Sequence, residues 1–280
     1  MADSTYLIII GAMKAGTTSL FHILDSHPDI CGSFEKEPNF FCEPWHRRVH
    51  VTDYDDLWPE SKNRDFRYLM EASACYTNPP LSGGVPAAIE QYLAEKQGAK
   101  VKFLYCVRNP VERIASHVNW AVGFSWFDPK ASVTSARYYG TSHYYEQIKP
   151  YLDRFPREDF HLVDFNELAK EPRKVGAEIC AFLGIDDAID YEGTINPRNT
   201  TKKETVAERL VLRSAIGNRA FKSLPFRVRL WLRHKVFPKF PSVSKIVIDP
   251  AQEAELRAVL RDDMQQFKQA LGVDVTKWGF

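Results

Sequence analysis

Residues 6–20, Tyr-Leu-Ile-Ile-Ile-Gly-Ala-Met-Lys-Ala-Gly-Thr-Thr-Ser-Leu, decide how this chain is read. An apolar run, a glycine-bounded turn and a helix-forming stretch predict a buried strand, a tight loop and a helix in that order. Backbone amides at such a helix N-terminus form a cradle for an anion. In the usual nucleotide-binding loop of this shape, a lysine directly follows the second glycine and reaches the β- and γ-phosphates. Here Thr17 follows Gly16, and Lys14 stands two residues before that glycine. The displaced lysine points away from ordinary ATP hydrolysis and towards a different leaving group. Gly11 and Gly16 permit close backbone approach, and the amides of Ala15, Gly16, Thr17, Thr18 and Ser19 are the expected ligands. Without a ligand, the same pattern is a tight strand-to-helix turn.

Working outward, short apolar runs alternate with helical patterns, which predicts a parallel sheet covered by helices. Strands are expected at 6–10, 29–32, 67–71, 101–107 and 160–164, and helices at 17–26, 111–120 and 173–183, the last closing at Gly184. The fold class is therefore α/β: a P-loop-like three-layer domain with a central parallel β-sheet flanked by helices. Residues 123–143, rich in Ser, Tyr, Phe and Trp, lack a clear period and read as an irregular lid or insertion. Near the C-terminus, Asp249 is a helix cap, Pro250 suits the first helical position and Gln252 completes a capping-box-like pair. Leu256, Val259, Leu260, Met264, Phe267 and Leu271 recur at helical spacing, and Gly272 ends the run. No internal repeat or low-complexity linker divides the chain, so residues 1–280 are expected to form one domain, with 205–280 as a helical extension packed on it.

The 280 residues carry a net charge of +1, which implies no global polyanion partner and no nucleic acid. Five cysteines, odd in number and without a CxxC pair, favour a reducing compartment over a disulfide framework or a zinc site. The apolar run at 7–10 is too short to span a membrane. A cytoplasmic location follows as the expectation.

Two further segments carry chemistry. Cys106-Val-Arg-Asn-Pro-Val-Glu-Arg-Ile-Ala-Ser-His117 follows an apolar strand, so Arg108 lies at a strand C-terminus, where open α/β sheets bind ligands. Ser116 lies about two helical turns on, and the pair suits a second phosphate. Alone, the spacing fits a surface arginine and a helix serine equally well. Glu35-Lys-Glu-Pro-Asn-Phe-Phe41 places a carboxylate, Glu37, beside a cation and two aromatics, as a general base requires. On spacing alone, a solvated turn is the commoner reading.

Together the three segments resemble the PAPS-dependent sulfotransferase family, especially the heparan sulfate sulfotransferases and their bacterial relatives. Lys-Ala-Gly-Thr-Thr-Ser-Leu is similar to the family's 5′-phosphosulfate loop, and Arg-Asn-Pro-Val-Glu-Arg-Ile-Ala-Ser to its 3′-phosphate motif. His27-Pro-Asp29 followed by Lys-Glu-Pro-Asn-Phe-Phe resembles the segment supplying its catalytic glutamate. Glu71-Ala-Ser-Ala-Cys-Tyr76 resembles its third-strand segment, and His161 to Leu168 with Ala181-Phe-Leu-Gly184 fits a common family pattern. The similarity runs through about residues 6–185.

The resemblance implies PAPS as donor, PAP as product, and no metal. Lys14 would meet the bridging oxygen of the leaving phosphate, and Gly16, Thr17, Thr18 and Ser19 would hold the 5′-phosphate. Arg108 and Ser116 would hold the 3′-phosphate, and Glu37 would take the acceptor's proton. Two departures stand out: Ala72 where heparan sulfate enzymes often carry lysine, and no recognisable late glycine-rich basic loop. The segment 196–203 is a candidate replacement, with Arg198 or Lys202 touching the nucleotide. The acceptor is expected to be a carbohydrate or small molecule, with Trp120, Phe124, Trp126 and Tyr138 as candidate cleft residues.

From Arg209 to Ile248 there are ten Lys or Arg and no Asp or Glu. This stretch reads first as a helix whose apolar face packs while its arginines stay wet. An acidic acceptor, an acyl carrier or a membrane contact through 226–239 is the alternative. A nucleotide-dependent kinase or ATPase is the other enzymatic reading, opposed by Thr17 and by Arg108 at the strand end where an acidic Mg²⁺ ligand is needed. A non-catalytic anion-binding module would leave Lys14, Arg108 and Glu37 together without a role.

Overall fold

The computed structural model describes residues 5–78, 81–96, 98–121, 132–194 and 245–280, together with the single positions 228, 232 and 236. Five strands form one parallel sheet: β1 (Thr5–Gly11), β2 (Ile30–Gly32), β3 (Tyr68–Ala72), β4 (Lys100–Val107) and β5 (Phe160–Asp164), in the order β2-β3-β1-β4-β5. All five lie within two residues of their expected bounds. The register places Ile8 beside Glu71 on one side and Phe103 on the other, so β1 is central. Because parallel strands are covered on both faces, β1 is apolar without alternation, and Leu7 to Ile10 are essentially inaccessible.

The helices of the described residues are α1 (Thr17–Asp25), α2 (Val85–Glu95), α3 (Pro110–Ala121), α4 (Ala136–Tyr139), α5 (Tyr144–Leu152), α6 (Phe165–Lys170), α7 (Pro172–Leu183), α8 (Tyr191–Thr194) and α9 (Pro250–Leu271). They flank the sheet, giving the expected α/β architecture. Gly184 and Gly272 close α7 and α9 in the left-handed conformation. At the start of α9, Asp249 accepts from the Gln252 amide and the Gln252 side chain returns the bond, completing the capping box. The packing of α9 is fixed by Asp263, whose carboxylate accepts from the Tyr145 and Glu146 amides at the first turn of α5.

Two expectations for the segment after α3 are revised. Residues 132–143 are structured, with α4 followed by a short 3-10 turn. Tyr138 is fully buried, its carbonyl bonded to Arg113, so it is core and does not line an open acceptor cleft. Phe124, Trp126, Arg198 and the stretches 196–203 and 226–227 lie outside the described residues, as does nearly all of 209–244. No helix among the described residues is long and apolar enough to cross a membrane.

Candidate active site

Chain direction changes side at the central strand: β1 leads through α1 towards β2 and β3, and β4 starts the opposite half. The carboxyl ends of β1 and β4 flank this switch point, where open α/β sheets bind ligands. The loop after β1 brings Lys14 there, and β4 ends one residue before Arg108.

The loop is shaped for close backbone approach. Gly16 has φ +90, and a Cβ on it would lie 2.7 Å from the Phe165 ring. The first bond joining α1 to this loop runs from the Leu20 amide to the Gly16 carbonyl. The amides of Gly16, Thr17, Thr18 and Ser19 therefore precede the helical ladder and remain the natural anion donors. The Ala15 amide is already engaged with the Ala12 carbonyl at 3.1 Å, and its methyl is buried. Thr17 is buried, Ser19 half-buried and Thr18 exposed.

Lys14 takes a left-handed φ of 68, which costs a non-glycine residue about 1–3 kcal/mol and persists only where the surroundings impose it. Its ammonium lies 5.4 Å from the centre of the Trp120 ring. Burial pulls the Lys14 pKa below the usual lysine value; Arg108 and Arg113 add to this, while Glu37 opposes it. Lys14 thus feels the charges of Arg108, Arg113 and Glu37.

The Arg108 guanidinium carbon lies over Phe165, 4.4 Å from the ring centre, and its Nε and Nη2 donate to Glu112 at 3.2 and 3.1 Å. Phe165 is therefore packed against both Gly16 and Arg108. Ser116 stands half-buried on α3, one turn beyond Arg113.

Glu37 also has a left-handed φ, 59, as does Asn39 at 55. Among the described residues these two and Lys14 are the only non-glycine positions with positive φ. Two cations fix the Glu37 carboxylate: Lys36 at 3.0 Å and Arg48 at 2.7 Å. The loop hangs from the end of β3 by three bonds: Glu37 N–H to Ala72 C=O at 2.9 Å, Asn39 N–H to Ser73 Oγ at 3.1 Å, and Phe41 N–H to Tyr76 Oη at 3.2 Å.

Three residues that organise this site were not singled out in sequence. Arg113 is fully buried and donates to Ser142 Oγ at 2.5 Å, to the Met13 carbonyl at 3.5 Å and to the Tyr138 carbonyl. It ties the phosphate loop to α3 and α4, and burial lowers its pKa to about 10. Glu71, fully buried on β3, accepts from Ser73 Oγ at 2.7 Å, Tyr54 Oη at 3.3 Å and the Tyr76 hydroxyl. Since Ser73 and Tyr76 spend their protons on Glu71, their lone pairs face the Asn39 and Phe41 amides. Phe165 is the third. His27 is structural: Nδ1 accepts from the Asp29 amide at 3.0 Å and Nε2 meets the Asp186 carbonyl at 2.6 Å.

A family model described as "Sulfotransferase domain" matches residues 4–212. The chain belongs to the sulfotransferase family. The family implies sulfuryl transfer with PAPS as cosubstrate. The sulfotransferase is 25% identical over 210 residues to the mouse bifunctional heparan sulfate N-deacetylase/N-sulfotransferase 1, covering 68% of this chain and 23% of the relative. It is 27% identical over 180 residues to mouse heparan sulfate glucosamine 3-O-sulfotransferase 5, covering 59% of this chain and 49% of that one. The chain thus spans just under a quarter of the first of these relatives and about half of the second. Among solved structures, a sulfotransferase from Alicyclobacillus acidocaldarius superposes over 100% of both chains with a TM-score of 0.60 at 21% identity, a likeness of fold.

Proposed function

We propose that this sulfotransferase moves the sulfuryl group of PAPS to a hydroxyl or amine of a carbohydrate or small-molecule acceptor, with Glu37 as base and Lys14 stabilising the leaving phosphate. The observation that carries this reading is that Lys14, in the loop after β1, feels the charges of both Arg108 and Glu37, with Lys14 and Glu37 both in left-handed backbone. Such backbone persists only where the surroundings impose it, and it clusters at functional sites.

The residues present suit a nucleotide carrying two separate phosphates. The amides of Gly16 to Ser19 offer uncommitted donors for one, and the Arg108 fork with the Ser116 hydroxyl offers donors for the other. Bound PAPS supplies an activated sulfuryl group on a leaving group that is itself a phosphate. Lys14, half-buried beside two other cations, meets charge developing on that leaving oxygen in a partly dry setting. Arg113 holds the loop through the Met13 carbonyl, so the lysine needs no reorganisation as charge moves. Glu37, held between Lys36 and Arg48, receives the acceptor's proton; Arg48 is the more exposed of these cations and the easier to displace as the acceptor enters. Trp120, in contact with Lys14, lines the acceptor side.

A kinase or ATPase reading is not favoured, because Thr17 occupies the lysine position that β- and γ-phosphate chemistry requires. Calorimetric titration with adenosine 3′,5′-bisphosphate and with ATP–Mg²⁺ tests the choice: the bisphosphate should bind more tightly, and the reverse order overturns the proposal. Glu37→Gln should retain bisphosphate affinity while losing sulfuryl transfer, and transfer at the wild-type rate removes Glu37 as the base.

A further inference from the structure

Cys42 and Cys75 are far apart in a chain whose cysteines show no pairing pattern, yet the fold brings their sulfurs to 2.8 Å. That separation is within about 0.8 Å of a disulfide bond length. Among the described residues, none of Cys31, Cys106 and Cys180 has another cysteine sulfur in hydrogen-bond reach. The pair sits where it bears on the site. Cys42 ends the loop that begins at Glu37, and its amide donates to the Asn39 carbonyl at 3.1 Å. Cys75 lies between Ser73 and Tyr76, the two residues whose hydroxyls accept from Asn39 and Phe41. Cys42 is buried and Cys75 is half-buried, so a small oxidant reaches Cys75 first.

We propose that Cys42 and Cys75 are an oxidisable dithiol, a modification site for low-molecular-weight disulfides such as glutathione disulfide, whose closure displaces the Glu37 loop and suppresses turnover. The Cys75 thiolate attacks one sulfur of glutathione disulfide, forming a mixed disulfide and expelling a glutathione thiolate. The Cys42 thiolate then attacks the Cys75 sulfur, forming the protein disulfide and expelling the second glutathione. Two protein thiols lose two electrons and two protons, and one glutathione disulfide becomes two glutathiones. The contact with Cys42 and burial both push the Cys75 thiol up, so closure is slow at neutral pH and speeds as pH rises. Drawing the sulfurs together moves a loop whose backbone is already constrained at Glu37 and Asn39. A displacement of about 1 Å at a catalytic group costs up to about 100-fold in rate. The phosphate loop and Arg108 are not part of this linkage, so donor affinity is retained.

The loss of turnover rests on Glu37 acting as the base; formation of the disulfide does not. The test treats the full chain with glutathione disulfide at mildly alkaline pH and maps its peptides by mass spectrometry. The expected result is a single Cys42–Cys75 link with the loss of two hydrogens, slower hydrogen exchange at the Asn39 and Phe41 amides, and a melting temperature several degrees higher. Adenosine 3′,5′-bisphosphate should bind as before, while its release from PAPS falls at least tenfold and recovers with dithiothreitol. Cys31→Ser should behave as wild type, and Cys42→Ser should carry only a glutathione adduct on Cys75. Absence of the link overturns the proposal, as does a linked chain with the exchange and turnover of the reduced one. If the link forms and slows exchange but the reduced chain never acts on PAPS, sulfuryl transfer fails and the dithiol stands.

Discussion

Replacing Glu71 by Gln should remove a loss of stability that the wild-type chain suffers as pH rises from about 4.5 to about 8. Glu71 is fully buried in β3, and burial pushes its carboxyl up to about 7 from an ordinary 4.5, despite hydrogen bonds from Tyr76, Ser73 and Tyr54 and the nearby charge of Lys36. Between those two values the folded chain keeps a proton that the unfolded chain has released. Its contribution to stability is therefore fully present below 4.5 and is lost as pH rises through about 7. A gap of about 2.5 pH units, at 1.36 kcal/mol per unit, corresponds to about 3 kcal/mol. Urea unfolding of both proteins across this pH range measures the effect, and comparing the change with pH within each protein cancels any constant cost of the amide. The wild-type curve should fall by about 3 kcal/mol relative to the variant. Parallel curves would refute the argument. Above pH 7 the variant should also turn over more slowly with unchanged bisphosphate affinity, because the amide keeps one accepting oxygen where the carboxylate offers two to the surrounding hydroxyls.

Three other substitutions probe separate parts of the site. Gly16→Ala places a methyl 2.7 Å from the Phe165 ring at φ +90; calorimetry should show about 1–3 kcal/mol of lost stability and at least tenfold weaker bisphosphate binding. Arg113→Met removes the donors to Met13, Ser142 and Tyr138, and titration should show bisphosphate affinity falling at least tenfold while circular dichroism retains the fold. His117 is held neutral, its pKa pushed down to about 3 by burial and by Arg113, Lys14 and Arg137. The unfolded chain takes up this proton near 6.5 and the folded chain only near 3, so stability present above 6.5 is lost as pH falls, by at most about 4–5 kcal/mol. His117→Phe should move the acid-unfolding midpoint to lower pH, and an unmoved midpoint contradicts the assignment.

The strands were legible because a parallel sheet buries both faces, which leaves apolar runs such as Leu7–Ile10 and Phe103–Val107 uninterrupted. The capping box at Asp249 and the glycines ending α7 and α9 were legible because caps are local. The helices α2 and α5 were not: α2 buries only Val85, Pro86 and Ile89, and α5 contains Pro150 and a tyrosine pair that blur its period. Residues 132–143 looked irregular, yet Tyr138 and Ser142 are completely buried, since their burial depends on α3 and Arg113 from elsewhere in the chain. Charge misleads in the same way. Arg113 and Glu71 read as solvent-facing on composition, but each is satisfied inside, by groups 25 to 100 and 2 to 17 residues distant.

By itself, the sequence determined the order of the strands and of the capped helices and marked Lys14, Gly16, Arg108, Ser116 and Glu37 as site candidates, because strand burial, helix caps and glycine turns depend on neighbouring residues. Tertiary structure alone decided what surrounds them: the Phe165 ring against Gly16 and Arg108, the Arg113 tether, the Glu71 network beneath the Glu37 loop, and the meeting of Cys42 with Cys75. Each of these joins segments that touch only once the sheet order β2-β3-β1-β4-β5 is formed. Contacts between distant segments leave no periodic trace in a single chain, whereas the pleat and the helical turn do.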